Sequence, residues 1–293
     1  MARAAKTQMA GKVVVVTGAN AGIGQATAEG LARMGARVLA CGRNPEKLYP
    51  AVGFIRSVTG NDAVEPLLAD LSSMKQVVAL AEAIAAKTDR LDVLINNAGV
   101  FVNRRIDTED GYELTFAVNH LAPFVLTTRL LPLLKASAPA RVVTVSSALH
   151  ARVSSFDVAA LARPPAGSPS MAYNHSKLCN VLFTRALAAR LAGTGVTANC
   201  LHPGVIATEI GDDGDLSGFG GFFWRLIKKF MPGPEAGART SLHLASAAEV
   251  AEVSGEYFNK CAVAKSSARS KDMALADALW AESEARAAEA LGG

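Results

Sequence analysis

Short apolar runs alternate along the chain with longer amphipathic segments. The runs begin at Lys12 (KVVVVT), Ala36 (ARVLAC), Ala63 (AVEPLLA) and Leu91 (LDVLIN), then at Ala140 (ARVVTVS), Gly195 (GVTANCL) and Gly255 (GEYFNK). β-Branched residues fill many of them. Continuous apolar strands of this kind belong to a sheet covered on both faces. Helix-length segments rich in Ala, Leu, Glu and Arg lie between or after them, at 22–34, 45–58, 73–86, 119–137, 170–192, 234–247 and 271–290. Strand, helix, strand, helix predicts an α/β fold: one doubly wound parallel β-sheet flanked by helices on both faces, with right-handed crossovers. Residues 1–11 read as an N-terminal tail and 12–293 as a single domain. No solenoid repeat or long linker interrupts it, and Pro164, Pro165, Gly167 and Pro169 mark a loop inside the domain.

Composition narrows the function classes. The 293 residues are 50% hydrophobic and 19% charged, enough for a large core and unlike a disordered chain. The net charge of +4 is scattered, in small basic groups at Arg3 and Lys6, at Arg225, Lys228 and Lys229, and from Lys260 to Lys271. None has the interleaved aromatics of a nucleic-acid face, so no nucleic-acid partner is expected. A mildly positive field still favours a polyanionic cofactor. Cys41, Cys179, Cys200 and Cys261 lack CxxC or metal-ligand spacing and read as reduced thiols of an intracellular protein. The five histidines show no paired ligand spacing, so no metal is expected. The start, MARAAKTQMAGK, has no apolar stretch before Val13, and no uninterrupted apolar run reaches about 18 residues. These features predict a cytoplasmic protein with no integral membrane segment.

The first strand runs into Thr17-Gly18-Ala19-Asn20-Ala21-Gly22-Ile23-Gly24, where a helix begins. A strand, a glycine-rich turn and a helix N-terminus form an anion site, and glycine lets the backbone approach a pyrophosphate. The glycines at 18, 22 and 24 depart from GxGxxG spacing, and the missing Lys-Ser/Thr pair excludes a P-loop. Placement directly after the first strand favours cofactor binding over a plain tight turn. The second strand ends Ala40-Cys41-Gly42-Arg43-Asn44, with no carboxylate for a ribose 2′-hydroxyl. Gly42 leaves space and the Arg43 guanidinium suits a 2′-phosphate. NADP(H) is therefore preferred, with NAD(H) as the alternative.

Tyr173 and Lys177 stand four residues apart in YNHSK, on one face of a long helix. A buried ammonium beside a phenol stabilises the phenolate, which predicts a lowered tyrosine pKa. Ser146 and Ser147 end a buried strand, where open α/β sheets bind ligands. No GxSxG elbow appears, which removes an α/β-hydrolase.

Together these motifs identify a resemblance. The chain resembles the short-chain dehydrogenase/reductase family over almost its whole length, and so implies a Rossmann-type fold. Its motifs stand in that family's order: TGANAGIG from Thr17, Asp70-Leu71, Asn96-Asn97-Ala98-Gly99, Asn119, Ser147, Tyr173 with Lys177, and Pro203-Gly204. It is most similar to the retinol-dehydrogenase-like branch, which includes the oxidoreductase domain of WW-domain-containing oxidoreductase. That similarity rests on Arg43, Val118-Asn119-His120-Leu121, the serine pair followed by His150, Tyr173 to Phe183, and Leu201-His202-Pro203-Gly204-Val205.

The resemblance implies a role for each matched residue. Tyr173 is the general acid in reduction and the general base in oxidation, and Lys177 lowers its pKa and holds the nicotinamide ribose. Ser147 polarises the substrate carbonyl, ahead of Ser146, and Asn119 holds a proton-relay water. Gly18, Asn20, Gly22, Ile23 and Gly24 cradle the cofactor, with Arg43 at the ribose. Asp70 binds the adenine edge beside Leu71, and Asn97, Ala98 and Gly99 form the cofactor wall. Pro203, Gly204 and Val205 make a turn from which Thr208 reaches the pyrophosphate or carboxamide. Taken singly, Ser147, Asn97 and Asn119 also have structural readings as hydrogen-bonders, and Asp70 one as a helix cap.

Around 209–234 the pattern becomes irregular, with a Gly- and Asp-rich stretch followed by FFWRLIKKF from Phe222. Three readings stand: a greasy lid over a bulky apolar substrate, a membrane-surface helix, or an ordinary packed helix. The expected activity is NADP(H)-dependent interconversion of a ketone or aldehyde and an alcohol on a small hydrophobic substrate. The alternatives are epimerisation or dehydration with a tightly held cofactor, and a cofactor-bound regulator or scaffold without turnover. The resemblance also implies a homodimer or homotetramer, paired through helices 119–137 and 170–192. The Ala- and Glu-rich region from Lys271 could cover a partner or pack on its own sheet.

Overall fold

A computed structural model describes residues 7–162, 169–204 and 233–292. Its strands are β1 Val13–Thr17, β2 Arg37–Gly42, β3 Val64–Leu68, β4 Val93–Asn96, β5 Ala140–Val145, β6 Val196–His202, β7 Tyr257–Asn259 and β8 Ala262–Val263. They form one sheet in the order β3-β2-β1-β4-β5-β6-β7-β8. All neighbours are parallel except the antiparallel β7–β8 pair. The order reverses between β1 and β4, which opens a crevice at their carboxyl ends. Every expected strand is present. The two-residue, exposed β8 is not among the expected strands.

The central strands are largely apolar because both of their faces are covered. Val13, Val15, Leu39, Leu94 and Val142 pack into one core, and Val14, Val16, Val38, Ile95 and Val143 into the other. Successive side chains point to opposite faces, so a continuous apolar run serves two cores at once. Pro66 is accommodated because β3 is an edge strand.

The helices are α1 Gly22–Arg33, α2 Pro45–Thr59, α3 Met74–Lys87, α4 Leu114–Ala136, α5 Pro169–Arg190, α6 Pro234–Ser246 and α7 Met273–Ala290. α4 begins earlier than the pattern predicted and carries a π-helical turn at Ala117–Leu121. By length and composition α4 could cross a membrane, but 72% of its apolar window is buried inside the protein.

One expectation about the chain ends changes, and an open alternative is settled. Residues 7–11 do not behave as a tail: Met9 is buried, its N–H donates to the Met34 carbonyl at 2.9 Å, and Gln8 donates to Ser246 O at 3.0 Å. The C-terminal α7 packs on its own chain, over α4 and α5. Trp280 meets Phe124 of α4 edge-on at 5.0 Å and stacks on Phe183 of α5 at 6.0 Å. Arg190 lies 4.2 Å from the Trp280 ring and bonds Asp277 at 3.0 Å. Ser283 gives its proton to Leu279 O, so its oxygen accepts from His120 Nε2 at 2.8 Å. α7 thus lies over the helices through which pairing was expected.

Candidate active site

The glycine loop is built by close packing between the ends of β1 and β4. Thr17 Oγ1 accepts the N–H groups of Asn97 and Ala98, both at 3.0 Å, and Asn97 Nδ2 donates to Thr17 O at 2.8 Å. A β-carbon on Gly24 would overlap the Gly18 carbonyl oxygen and the Asn97 amide, and one on Gly18 would meet Ala98 Cα at 3.0 Å. Those two glycines are therefore required by protein packing as well. Gly18 and Gly22 also hold positive φ, 68° and 55°.

The N-terminus of α1 fits an anionic cofactor. Its cap is Ala21, which supplies no side-chain hydrogen bond, and no acidic residue stands in its first turn. The amides of a bare helix end, with the positive end of its dipole, suit a pyrophosphate. An open groove of about 440 Å³ leads from Asn20, Ala21 and Gly22 along α2, past Glu46, Lys47 and Phe54. Ile23 sits in the first turn, where its carbonyl accepts from Thr27 Oγ1. A β-carbon on Gly42 would lie 3.0 Å from Asn20 Oδ1, so Gly42 admits the Asn20 side chain.

Arg43 stands at the tip of β2 with its side chain 67% exposed, and its guanidinium is 3.8 Å from Asp70 Oδ2. Asp70 Oδ1 accepts from the Ser72 N–H at 2.9 Å and the Ser72 hydroxyl at 2.8 Å. Asp70 thus makes a local turn before α3 rather than capping it; the Met74 N–H is taken by Asp110. Leu71 packs against the core below.

The second half of the site joins β5 to α5. Ser146 is buried and donates to Lys177 O at 2.7 Å, which binds it to the helix backbone. Ser147 is the serine that faces Tyr173, close enough to oppose the effect of burial on its phenol. Phe101 packs edge-on against the Tyr173 ring at 5.4 Å. Lys177 is buried, with Nζ 5.5 Å from the Tyr173 ring centroid and donating to Val145 O at 3.1 Å. Gly99 lets the β4 loop close on this group, since a β-carbon there would lie 3.3 Å from Lys177 Nζ and 3.4 Å from Asn119 Oδ1.

One chemical expectation is corrected. Burial raises the Tyr173 pKa above its ordinary value, against the opposing effect of Ser147. The Lys177 ammonium donates to Val145 O, and burial lowers its own pKa to about 8. Asn119 is fully buried, and its amide is occupied by protein: Oδ1 accepts from Val100 N–H at 2.7 Å, while Nδ2 donates to Val100 O at 2.9 Å and Ser176 Oγ at 3.1 Å. Its side chain fixes the β4 loop to α5. Gly204, with φ 92°, donates its N–H to His202 Nδ1 at 3.0 Å beside Pro203. Val205, Thr208 and most of the segment around 209–234 lie outside the described residues. Lys47 beside the cradle was missed from sequence, because nothing in spacing marks a helix lysine as facing a groove.

The comparisons with known proteins agree with this architecture. The family model described as short chain dehydrogenase matches residues 12–215. Retinol dehydrogenase 12 of Mus musculus is 45% identical, covering 93% of this chain and 85% of that protein. Retinol dehydrogenase 13 of Homo sapiens is 42% identical, covering 95% and 85%. Among solved structures, an uncharacterised protein from Mycobacterium paratuberculosis is 33% identical with a TM-score of 0.76, covering 95% of this chain and 94% of that one. A candidate NAD(P)-dependent gluconate 5-dehydrogenase from Beutenbergia cavernae, solved with bound NADP, is 30% identical with a TM-score of 0.68, covering 86% and 96%. The chain belongs to the short-chain dehydrogenase family, with retinol dehydrogenases among its relatives.

Proposed function

We propose that this chain is an NADP(H)-dependent oxidoreductase that interconverts a carbonyl and an alcohol on a hydrophobic substrate. The observation that carries the reading is the group at the end of β5. Ser147 faces Tyr173, Lys177 lies beside the same ring, and the bare end of α1 opens on the same crevice. When bound, a nicotinamide cofactor supplies or accepts the hydride. Ser147 then orients the substrate oxygen, and the Tyr173 hydroxyl gives that oxygen a proton in reduction and takes one in oxidation. Lys177 supports both through its charge.

Preference for the 2′-phosphorylated cofactor is supported by Arg43 at the tip of β2, where no carboxylate stands, and by Lys47 at the groove beside Asn20. An apolar substrate is supported by the partly exposed Val100, Phe101 and Val102 next to Tyr173. The relatives' names point the same way. The packing of α7 over α4 and α5 supports a chain that does not pair through those helices.

The test is consumption of NADPH and NADH, each across aldehydes and ketones from small and polar to steroid-sized. Turnover with NADPH on large apolar members supports the reading. Tight cofactor binding with no turnover on any member would favour a cofactor-bound scaffold.

A further inference from the structure

Three residues beyond Ser147 the chain carries a histidine that the proposed chemistry does not use. His150 lies on the short 3₁₀ turn Ala148–Arg152 and is 3% exposed. Its Nε2 is 3.1 Å from the backbone N–H of Ser267. A backbone N–H only donates, so Nε2 is the unprotonated acceptor. The proton then sits on Nδ1, which donates to the Ser147 carbonyl at 2.7 Å. The same carbonyl receives the His150 N–H at 3.2 Å, while the Ser147 hydroxyl oxygen receives Leu149 N–H at 3.2 Å. Ser147 is therefore held at both its carbonyl and its side chain.

The imidazole is itself clamped. Its ring lies 4.9 Å from Tyr257, which stacks on His202 at 6.5 Å, so the ends of β5, β6 and β7 meet here. Ser267 is fixed by Ser270, whose hydroxyl donates to Ser267 O at 2.7 Å, and the neighbouring Arg269 reaches Ser154 O at 2.7 Å. Burial lowers the His150 pKa, only partly offset by its hydrogen bond to Ser147, which favours the neutral ring these bonds require.

We propose that His150 is a positioning residue: as its neutral Nδ1–H tautomer it locks the Ser147 carbonyl, holds Ser147 against Tyr173, and ties that serine to the segment around Ser267. This rests on the reading of Ser147 as the group that faces the substrate oxygen. A small displacement of such a group is strongly felt in the rate, about 10²-fold for 1 Å.

Two substitutions separate the two ends of the ring. His150→Asn places an amide nitrogen near the Nδ1 position and keeps a donor for Ser147. His150→Gln places an amide oxygen near Nε2 and keeps only the acceptor for Ser267. With decanal and NADPH, His150→Gln is expected to lower kcat about 10- to 100-fold, with cofactor affinity and melting temperature matching those of His150→Asn. His150→Asn should retain most of kcat. Equal losses in both variants, or losses that follow melting temperature, would overturn the proposal. A second measurement does not need turnover. Nitrogen NMR of the wild-type imidazoles near pH 7 should show His150 protonated at Nδ1 alone; an Nε2–H tautomer or an imidazolium would overturn it. Should the wild type reduce no carbonyl, the oxidoreductase reading fails while the tautomer still decides the role of His150.

Discussion

Lys177 Nζ donates to the Val145 carbonyl at 3.1 Å and so ties α5 to the end of β5, beside rather than at the Tyr173 hydroxyl. Burial brings this lysine from an ordinary 10.5 to about 8. Between those values the unfolded chain binds more protons than the folded one, so this group makes stability rise with pH in that window. Below it, folding buries a cation at full cost. Lys177→Met should therefore raise the melting temperature of the cofactor-free protein at pH 7 by a few degrees. The gain should shrink toward pH 10. The Val145 carbonyl keeps the Asn180 amide as a donor, at 3.2 Å. Calorimetry at both pH values checks this, and an equal effect at each would refute it.

Tyr173→Phe should lower turnover by at least about 10²-fold while changing cofactor affinity little, because the ring and its packing on Phe101 persist. The raised phenol pKa adds a direction. The hydroxyl is protonated at neutral pH, ready to act as an acid in reduction. Oxidation needs it deprotonated, so the oxidative rate should climb toward alkaline pH. Paired pH profiles in the two directions test both statements.

Arg43→Ala should weaken NADPH binding about 10- to 100-fold and NADH binding far less, the loss of a charge-assisted hydrogen bond to one cofactor only. The Asp70 contact is exposed and contributes little stability. Cofactor titrations by fluorescence give the two ratios. Equal losses would remove Arg43 from the 2′-phosphate.

Gly24→Ala and Gly53→Ala should act in opposite senses. The first drives a methyl into the Gly18 carbonyl and the Asn97 amide, while the second meets nothing within 4 Å on the α2 surface. Gly24→Ala should cost about 1–3 kcal/mol of stability and impair cofactor binding. Gly53→Ala should gain up to about 1 kcal/mol from helix propensity. Urea denaturation of the pair is the measurement.

Light scattering in solution should give the mass of one chain, or of a dimer paired through another surface, because α7 packs against the start of α4 at His120 and Phe124 and against Phe183 of α5. Trp280→Ala should destabilise the chain by about 3–5 kcal/mol as the contacts with Phe124 and Phe183 are lost. A stable dimer mapped to α4 and α5 would contradict this.

The sequence by itself determined the sheet and its helices. The run Val13–Val16 is apolar at every position, and Ala140–Val145 breaks its apolar run only at Arg141 and Thr144, as strands covered on both faces require. It also determined which chemical groups gather, since parallel strands followed by helices bring their carboxyl ends to one edge, and with them Gly18, Asn97 and Ser147. The four-residue spacing of Tyr173 and Lys177 set them on one helix face before any coordinates.

What each group does there was decided by tertiary contacts. Spacing could not show that Gly24 yields to a carbonyl, that the Asn119 amide is spent on Val100 and Ser176, or that Lys177 points at Val145. Nor could it pair His150 with Ser267, which lies 117 residues away. Hydrogen-bond direction, proton position and burial depend on atoms brought together from distant parts of the chain. A motif names the groups; only the packed structure assigns them partners.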